Sequence, residues 1–227
     1  MKPYPITLGV SRPHWGPPNP RRAVGQISDN ATTHVFSRDD HTCQCCGFRS
    51  EKYQKLLHLN GDMRDFAEDN VLTVCVFCHQ CFHLEEVAKM GSGMLVWLPE
   101  IEQADLHHLM RAIYVGRVAQ GPLADAARSA SETLHGRGEE AKKRLGSTDP
   151  AALAIVMRDF LPQQVYTQMQ AKMDGIRLLP LDRRMVVDGT LEFNQFPQIL
   201  AYWRSRNGPF AKIPVQEWAT LFQPLAA

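Results

Sequence analysis

Four of the six cysteines form two Cys-x-x-Cys pairs, Cys43 with Cys46 and Cys75 with Cys78, and 28 residues separate the pairs. Two such knuckles can bring four thiolates to a tetrahedron around one metal ion. Zinc is the expected ion, because soft sulfur ligands suit it and nothing in the sequence calls for a redox metal. A closed four-sulfur site leaves no position for water, so the chemistry expected is structural: one Zn2+ held by Cys43, Cys46, Cys75 and Cys78. An iron–sulfur cluster is the lesser alternative for the same sulfurs. Cys45 and Cys81 are spare; Cys81 is expected on the buried stripe of a helix, and Cys45 with its side chain turned away from the metal.

The elements that must hold these sulfurs can be read from local pattern. A helix is expected over 33–40, followed by a tight turn at Cys43-Gln44-Cys45-Cys46-Gly47 whose glycine suits a positive φ. Leu56-Leu57-His58-Leu59 reads as a strand ending at the turn signal Asn60-Gly61, and from Val71 a strand or turn runs into a helix over 75–89. Met94–Leu98 reads as a strand closed by Pro99. The remainder is mainly helical, with helices over 102–118, 124–145, 150–160, 163–173, 196–206 and 215–222, and a small hairpin over 185–193 around Asp188-Gly189. The first twenty residues carry six of the fifteen prolines and read as an extended arm. The expected organisation is a cysteine-centred α+β module over 1–100 and a helical region over 101–227 packed with it as one unit.

Composition narrows the function classes. Of 227 residues, 44% are apolar and 22% charged, as in ordinary globular proteins, which excludes wholesale disorder. No run approaches the ~20 apolar residues of a membrane span, and Met1-Lys2-Pro3-Tyr4-Pro5 lacks a secretory h-region, so a cytoplasmic protein is expected. Net charge is +1, and neither the first hundred residues nor the rest departs from neutrality by more than two charges. A protein living on nucleic-acid phosphates would carry a basic excess, so nucleic acid is disfavoured as a partner. Confinement of all six cysteines to positions 43–81 argues against a disulfide framework.

The order Arg38-Asp39, Cys43-x-x-Cys46-Gly47, an apolar strand with His58, Asp69-Asn70, Cys75-x-x-Cys78-His79 and His83 resembles the zinc-bearing branch of the HNH endonucleases, with a treble-clef-like module. That resemblance places His58 at the general-base position, Asn70 at the central asparagine, and His79 and His83 at the closing metal-binding positions. Leu57, however, falls where the family has a first metal ligand. Metal-assisted hydrolysis needs the cation held beside the scissile phosphate, so no catalytic residue is assigned and an enzyme is not expected. Metal-dependent endonuclease is the alternative.

A narrower resemblance covers more of the chain. Tyr4-Pro5-Ile6-Thr7-Leu8, the stretch 38–48, Cys78-His79-Gln80-Cys81-Phe82-His83-Leu84-Glu85, Leu95-Val96-Trp97-Leu98-Pro99-Glu100-Ile101, Thr148-Asp149-Pro150 and Asp174-Gly175-Ile176-Arg177-Leu178-Leu179-Pro180 are similar to the IcmJ/DotN family of the bacterial type IVB (Dot/Icm) secretion system. The resemblance implies a non-catalytic subunit of the coupling complex. Such a subunit binds the C-terminal tail of the coupling ATPase DotL beside DotM and the adaptors IcmS and IcmW. It supports effector recruitment and is peripheral to the inner membrane only through the complex. A tail of this kind needs a rigid scaffold with an apolar groove, for which Trp97, Tyr114, Trp203, Phe210, Trp218 and Phe222 are the candidates, with core packing as the other role open to each.

Overall fold

The computed structural model describes residues 3–11, 29–162, 165, 168–169, 173–212 and 217–218. The proline-rich arm beyond residue 11, the helices expected over 163–173 and 215–222, and Phe222 lie outside the described residues apart from single positions. In chain order the elements are α1 (Asp29–Arg38), β1 (Gln54–His58), β2 (Val71–Cys75), α2 (Val76–Phe82), α3 (Leu84–Met90) and β3 (Gly93–Trp97). They continue with α4 (Gln103–Arg117), α5 (Pro122–Gly136), α6 (Gly138–Leu145), α7 (Pro150–Ile155) with a π turn at Val156–Phe160, β4 (Ile176–Pro180), β5 (Met185–Asp188), β6 (Leu191–Asn194) and α8 (Phe196–Arg204). Among the described residues the class is α+β with three two-stranded antiparallel sheets. No described helix is long and apolar enough to cross a membrane.

The chain divides into two compact units, Met1–Glu86 with Ala151–Lys172, and Val87–Pro150 with Met173–Ala227. These bounds differ from the division expected at residue 100, because each unit takes residues from two separate stretches.

In the first unit β1 and β2 pair from Gln54↔Cys75 to His58↔Val71. The loop joining them is fastened by the buried Asn70. Its side-chain oxygen accepts from Asn60 N at 3.0 Å, and its Nδ2 donates to Asp65 O at 2.8 Å and Asn60 Oδ1 at 3.1 Å. The outer edge of β2 is also occupied: Thr73 N donates to Asp39 Oδ2 at 2.9 Å, and Thr73 O accepts from Gln44 N at 2.8 Å. Arg38 donates to Val71 O at 2.7 Å and Glu68 O at 2.8 Å. The Arg38-Asp39 pair thus ties the end of α1 to β2, leaving few backbone groups of that strand unpaired.

In the second unit β3 and β4 pair from Gly93↔Pro180 to Trp97↔Ile176, and both free edges of this ribbon are covered. On the β3 side, Leu95 N donates to Thr148 O at 2.8 Å and Trp97 N to Arg137 O at 3.1 Å. On the β4 side the amide of Gln103 behaves as a strand residue would, accepting from Leu178 N at 2.9 Å and donating to Leu178 O at 2.8 Å. Replacing Gln103 with Leu leaves both groups of the fully buried Leu178 peptide without that partner. At about 1–3 kcal/mol per unsatisfied buried group, a loss of about 2–6 kcal/mol is expected in urea denaturation.

Of the aromatic residues proposed for a groove, Tyr114 and Trp203 fill this unit's interior, and Trp97, Phe210 and Trp218 are half-buried. Tyr114 and Trp203 are 2% and 1% exposed, and the ring sequence Tyr114, Phe196, Trp203, Phe210 runs at centroid separations of 4.9, 6.1 and 6.4 Å. Trp97 is covered on one face by the Arg144 guanidinium 3.7 Å from its ring centroid. It also abuts Gly175, where an added Cβ would lie 2.5 Å from the indole and where φ is +84°.

Candidate metal centre

The first Cys-x-x-Cys pair sits on a turn whose ends are pinned by the backbone. Gly47 N donates to Cys43 O at 2.8 Å and Cys43 N to Phe48 O at 3.0 Å, with Thr42 and Arg49 bridging antiparallel outside them. Gly47 takes φ +75°, as the turn requires. The second pair comes from the strand-to-helix junction: Cys75 ends β2 and caps α2, and its sulfur accepts from Cys78 N at 3.4 Å. Because Gln44 is bonded to β2, the turn is held against the strand that delivers Cys75.

The four sulfurs of Cys43, Cys46, Cys75 and Cys78 lie within 4.8 Å of one another, so these residues could hold one metal ion. Around an ion with metal–sulfur bonds of about 2.3 Å, the vertices of a tetrahedron are about 3.8 Å apart. The Cys46 and Cys75 sulfurs are 3.8 Å apart. Charge makes the same point. Hydrogen bonds from Cys45 and then Cys46 hold the Cys43 thiol down at about 4, while its neighbours push Cys78 upward. Without a cation, four sulfurs this close cannot all ionise; a dication removes that conflict, since a bound metal requires each thiol to be deprotonated.

The spare cysteines divide. Cys81 is fully buried in α2 and donates to Phe77 O at 3.6 Å, as expected of a small core residue. Cys45 is 3% exposed, and the neighbouring Cys43 raises its pKa.

The histidines gather on the same unit. His79 and His83, one turn apart on α2 and at its C-terminal cap, stack at 4.2 Å. His58 ends β1, packs edge-on against Phe66 at 5.2 Å, and its buried Nε2 has no hydrogen-bond partner among the described residues. Burial lowers the His58 pKa, and the nearby His83 adds to that effect against Asp62 and Asp65. Leu57 is 4% exposed and brings no donor. Ser11 Oγ lies 2.6 Å from His83 Nδ1, and Glu85 Oε1 lies 3.8 Å from that same nitrogen. A proton relay needs its two partners on opposite ring nitrogens, so this trio is not a nucleophile–base–orienter set. Burial raises the Glu85 pKa, but hydrogen bonds from His83 and Ser11 outweigh it and hold the carboxyl at about 2. Its carboxylate also accepts from Ser11 N at 3.0 Å. These contacts dock the opening segment: Gly9 N donates to Cys81 O at 2.7 Å, Gly9 O accepts from Leu84 N at 3.0 Å, and Tyr4 N donates to Gln44 O at 2.9 Å.

Fold and site together define an α+β protein built on a four-cysteine cluster that could bind a metal. No protein-family model matches the chain. The type 4 apparatus protein DotN of Legionella pneumophila is 33% identical to it over 129 residues. The match covers 55% of this chain and 60% of that relative. That similarity, which spans less than two thirds of the relative's length, supports membership of the IcmJ/DotN family.

Proposed function

We propose that this chain is a non-catalytic zinc protein, a subunit of a type IVB secretion coupling complex. The observation that carries the reading is the 33% identity to a type 4 apparatus protein. Cys43, Cys46, Cys75 and Cys78 hold one structural Zn2+ in an HNH/treble-clef-like module, and the site's four sulfurs leave water no place at the metal. The protein docks the C-terminal tail of the DotL-like coupling ATPase, beside DotM and the IcmS/IcmW adaptors. It sits on the cytoplasmic side of the inner membrane through that complex. Titration of the full zinc-loaded chain with the ATPase tail peptide is expected to show saturable binding in the micromolar range or tighter. A tail that gives no heat and fails in pull-down overturns the reading.

A second reading, a metal-dependent HNH endonuclease, is favoured by one observation: His58 ends β1 with a half-buried, unbonded Nε2 under the influence of His83. Asn70, the matching central asparagine, is occupied in fastening the β1–β2 loop. Intact plasmid after incubation with Mg2+, Mn2+ or Ni2+ ends this reading; cleavage abolished by His58→Ala would put it first.

A further inference from the structure

The β5–β6 hairpin leaves both apolar side chains and backbone in the open. Val187 is 71% exposed and Leu191 64%. Gln195 N donates to Arg184 O at 2.9 Å, which continues the hairpin's register by one pair and makes Arg184 a hydrogen-bonded position. Alternation then turns the backbone groups of Val186 and Asp188 toward β6 and those of Met185 and Val187 away from it. Among the described residues no backbone group pairs with this outer edge of β5, and the sheet ends at two strands. A lone two-stranded ribbon is marginal in water, and natural sheet edges are commonly blunted by lysine, proline or a bulge. Met185-Val186-Val187-Asp188 carries none of these.

What fits such an edge is an extended segment, added as a third strand through its own backbone. Size and charge choose between occupants. Four strand residues span about 14 Å, so addition here covers roughly 300 Å2 in total, against about 1,200–2,000 Å2 for a stable interface. A second copy offering the same short edge falls short of that, whereas a long partner segment can bind here with one stretch and elsewhere with others. The charged side chains between Met185 and Asn194 are Asp188 and Glu192, both exposed. The complementary stretch is therefore apolar opposite Met185-Val186-Val187 and basic opposite Asp188.

We propose that the outer edge of β5 is the strand-addition site for an extended partner segment in which apolar residues are followed by a Lys or Arg that meets Asp188. The inference rests on the tail-binding reading above and deepens it: the segment belongs to the ATPase tail, and this edge is one of its attachment points. The full zinc-loaded chain is titrated with the tail peptide, as wild type and as Val187→Pro. Proline removes an N–H that points away from β6, so the hairpin keeps its own ladder while the incoming strand loses a bond. Binding weakened by about tenfold or more, with a thermal melt like that of wild type, is the expected result. Asp188→Lys is expected to weaken binding too, by setting a cation against the one the segment brings. Equal affinity of wild type and Val187→Pro overturns the inference and leaves the tail-binding reading standing. No binding by wild type overturns that reading, and the inference falls with it. A wild-type dimer in light scattering that Val187→Pro splits into monomers gives the edge to a second copy and overturns the assignment. A further measurement needs no variant: hydrogen exchange at single-amide resolution on the wild-type chain, free and saturated with the tail peptide. The amides of Met185 and Val187 are expected to slow in the complex, and unchanged exchange at both overturns the proposal.

Discussion

Stripping the metal is expected to unfold the cysteine-bearing unit. The sulfurs are delivered by two local structures, the Cys43–Gly47 turn and the β2–α2 junction, which meet at the cluster. Structural zinc supplies roughly 10–16 kcal/mol of apparent folding free energy in small peptides at neutral pH. Whole domains are stable by only about 5–15 kcal/mol, so losing even part of that contribution exhausts the margin. Thermal melts followed by circular dichroism, with and without a strong chelator under reducing conditions, should show the low-temperature loss of this unit and its recovery when zinc is returned. Acidification acts in the same direction, because protons compete with the metal for each thiolate. A melting profile indifferent to chelation would mean that hydrophobic burial alone holds the unit.

The second large effect is expected at Trp203. It is 1% exposed, between Phe196 at 6.1 Å and Phe210 at 6.4 Å. Truncation to Ala removes the indole from a close-packed interior, for which about 3–5 kcal/mol is the usual cost. Chemical denaturation measures it directly. The result also bears on partner binding: a Trp203→Ala protein that folds with near wild-type stability and loses the ATPase tail would make this residue a surface anchor. Tyr114→Phe is a milder comparison, since it keeps the ring against Phe196 at 4.9 Å and removes only the hydroxyl that donates to Pro180 O at 2.6 Å.

What local pattern could reveal, the sequence revealed well. The cysteine spacing identified the four sulfurs that cluster, the turn signal at Asn60-Gly61 falls just after β1, and that at Asp188-Gly189 marks the β5–β6 hairpin. The helix expected over 102–118 is α4, Gln103–Arg117. The departures come where a distant segment intervenes. The helix expected over 75–89 breaks at His83, with φ −137°, because Gly9 takes the backbone groups of Cys81 and Leu84 on either side of the break. The helix expected over 124–145 is two, α5 and α6, parted at Arg137, whose carbonyl accepts from Trp97 N. Gly138, just beyond, sits where an added Cβ would lie 2.6 Å from Met94 Cε. Strand β4 was not anticipated at all: its partner β3 lies some eighty residues earlier, and Ile176–Pro180, buried at every position, offers no alternation to read.

The interleaving of the two units bears on how the chain is made. The first unit takes in Ala151–Lys172, and the second needs Met173 onward to supply β4 to β3. During synthesis the β1–β2 hairpin and both cysteine pairs leave the ribosome early, so metal capture can precede completion of either unit. The Val87–Pro150 stretch must then wait, with β3 unpaired, until residue 180 emerges. No single cut in the chain separates the units. A fragment ending near residue 100 would lack part of the first and strand part of the second, so dissecting this protein by truncation should yield insoluble pieces where point substitutions yield folded ones.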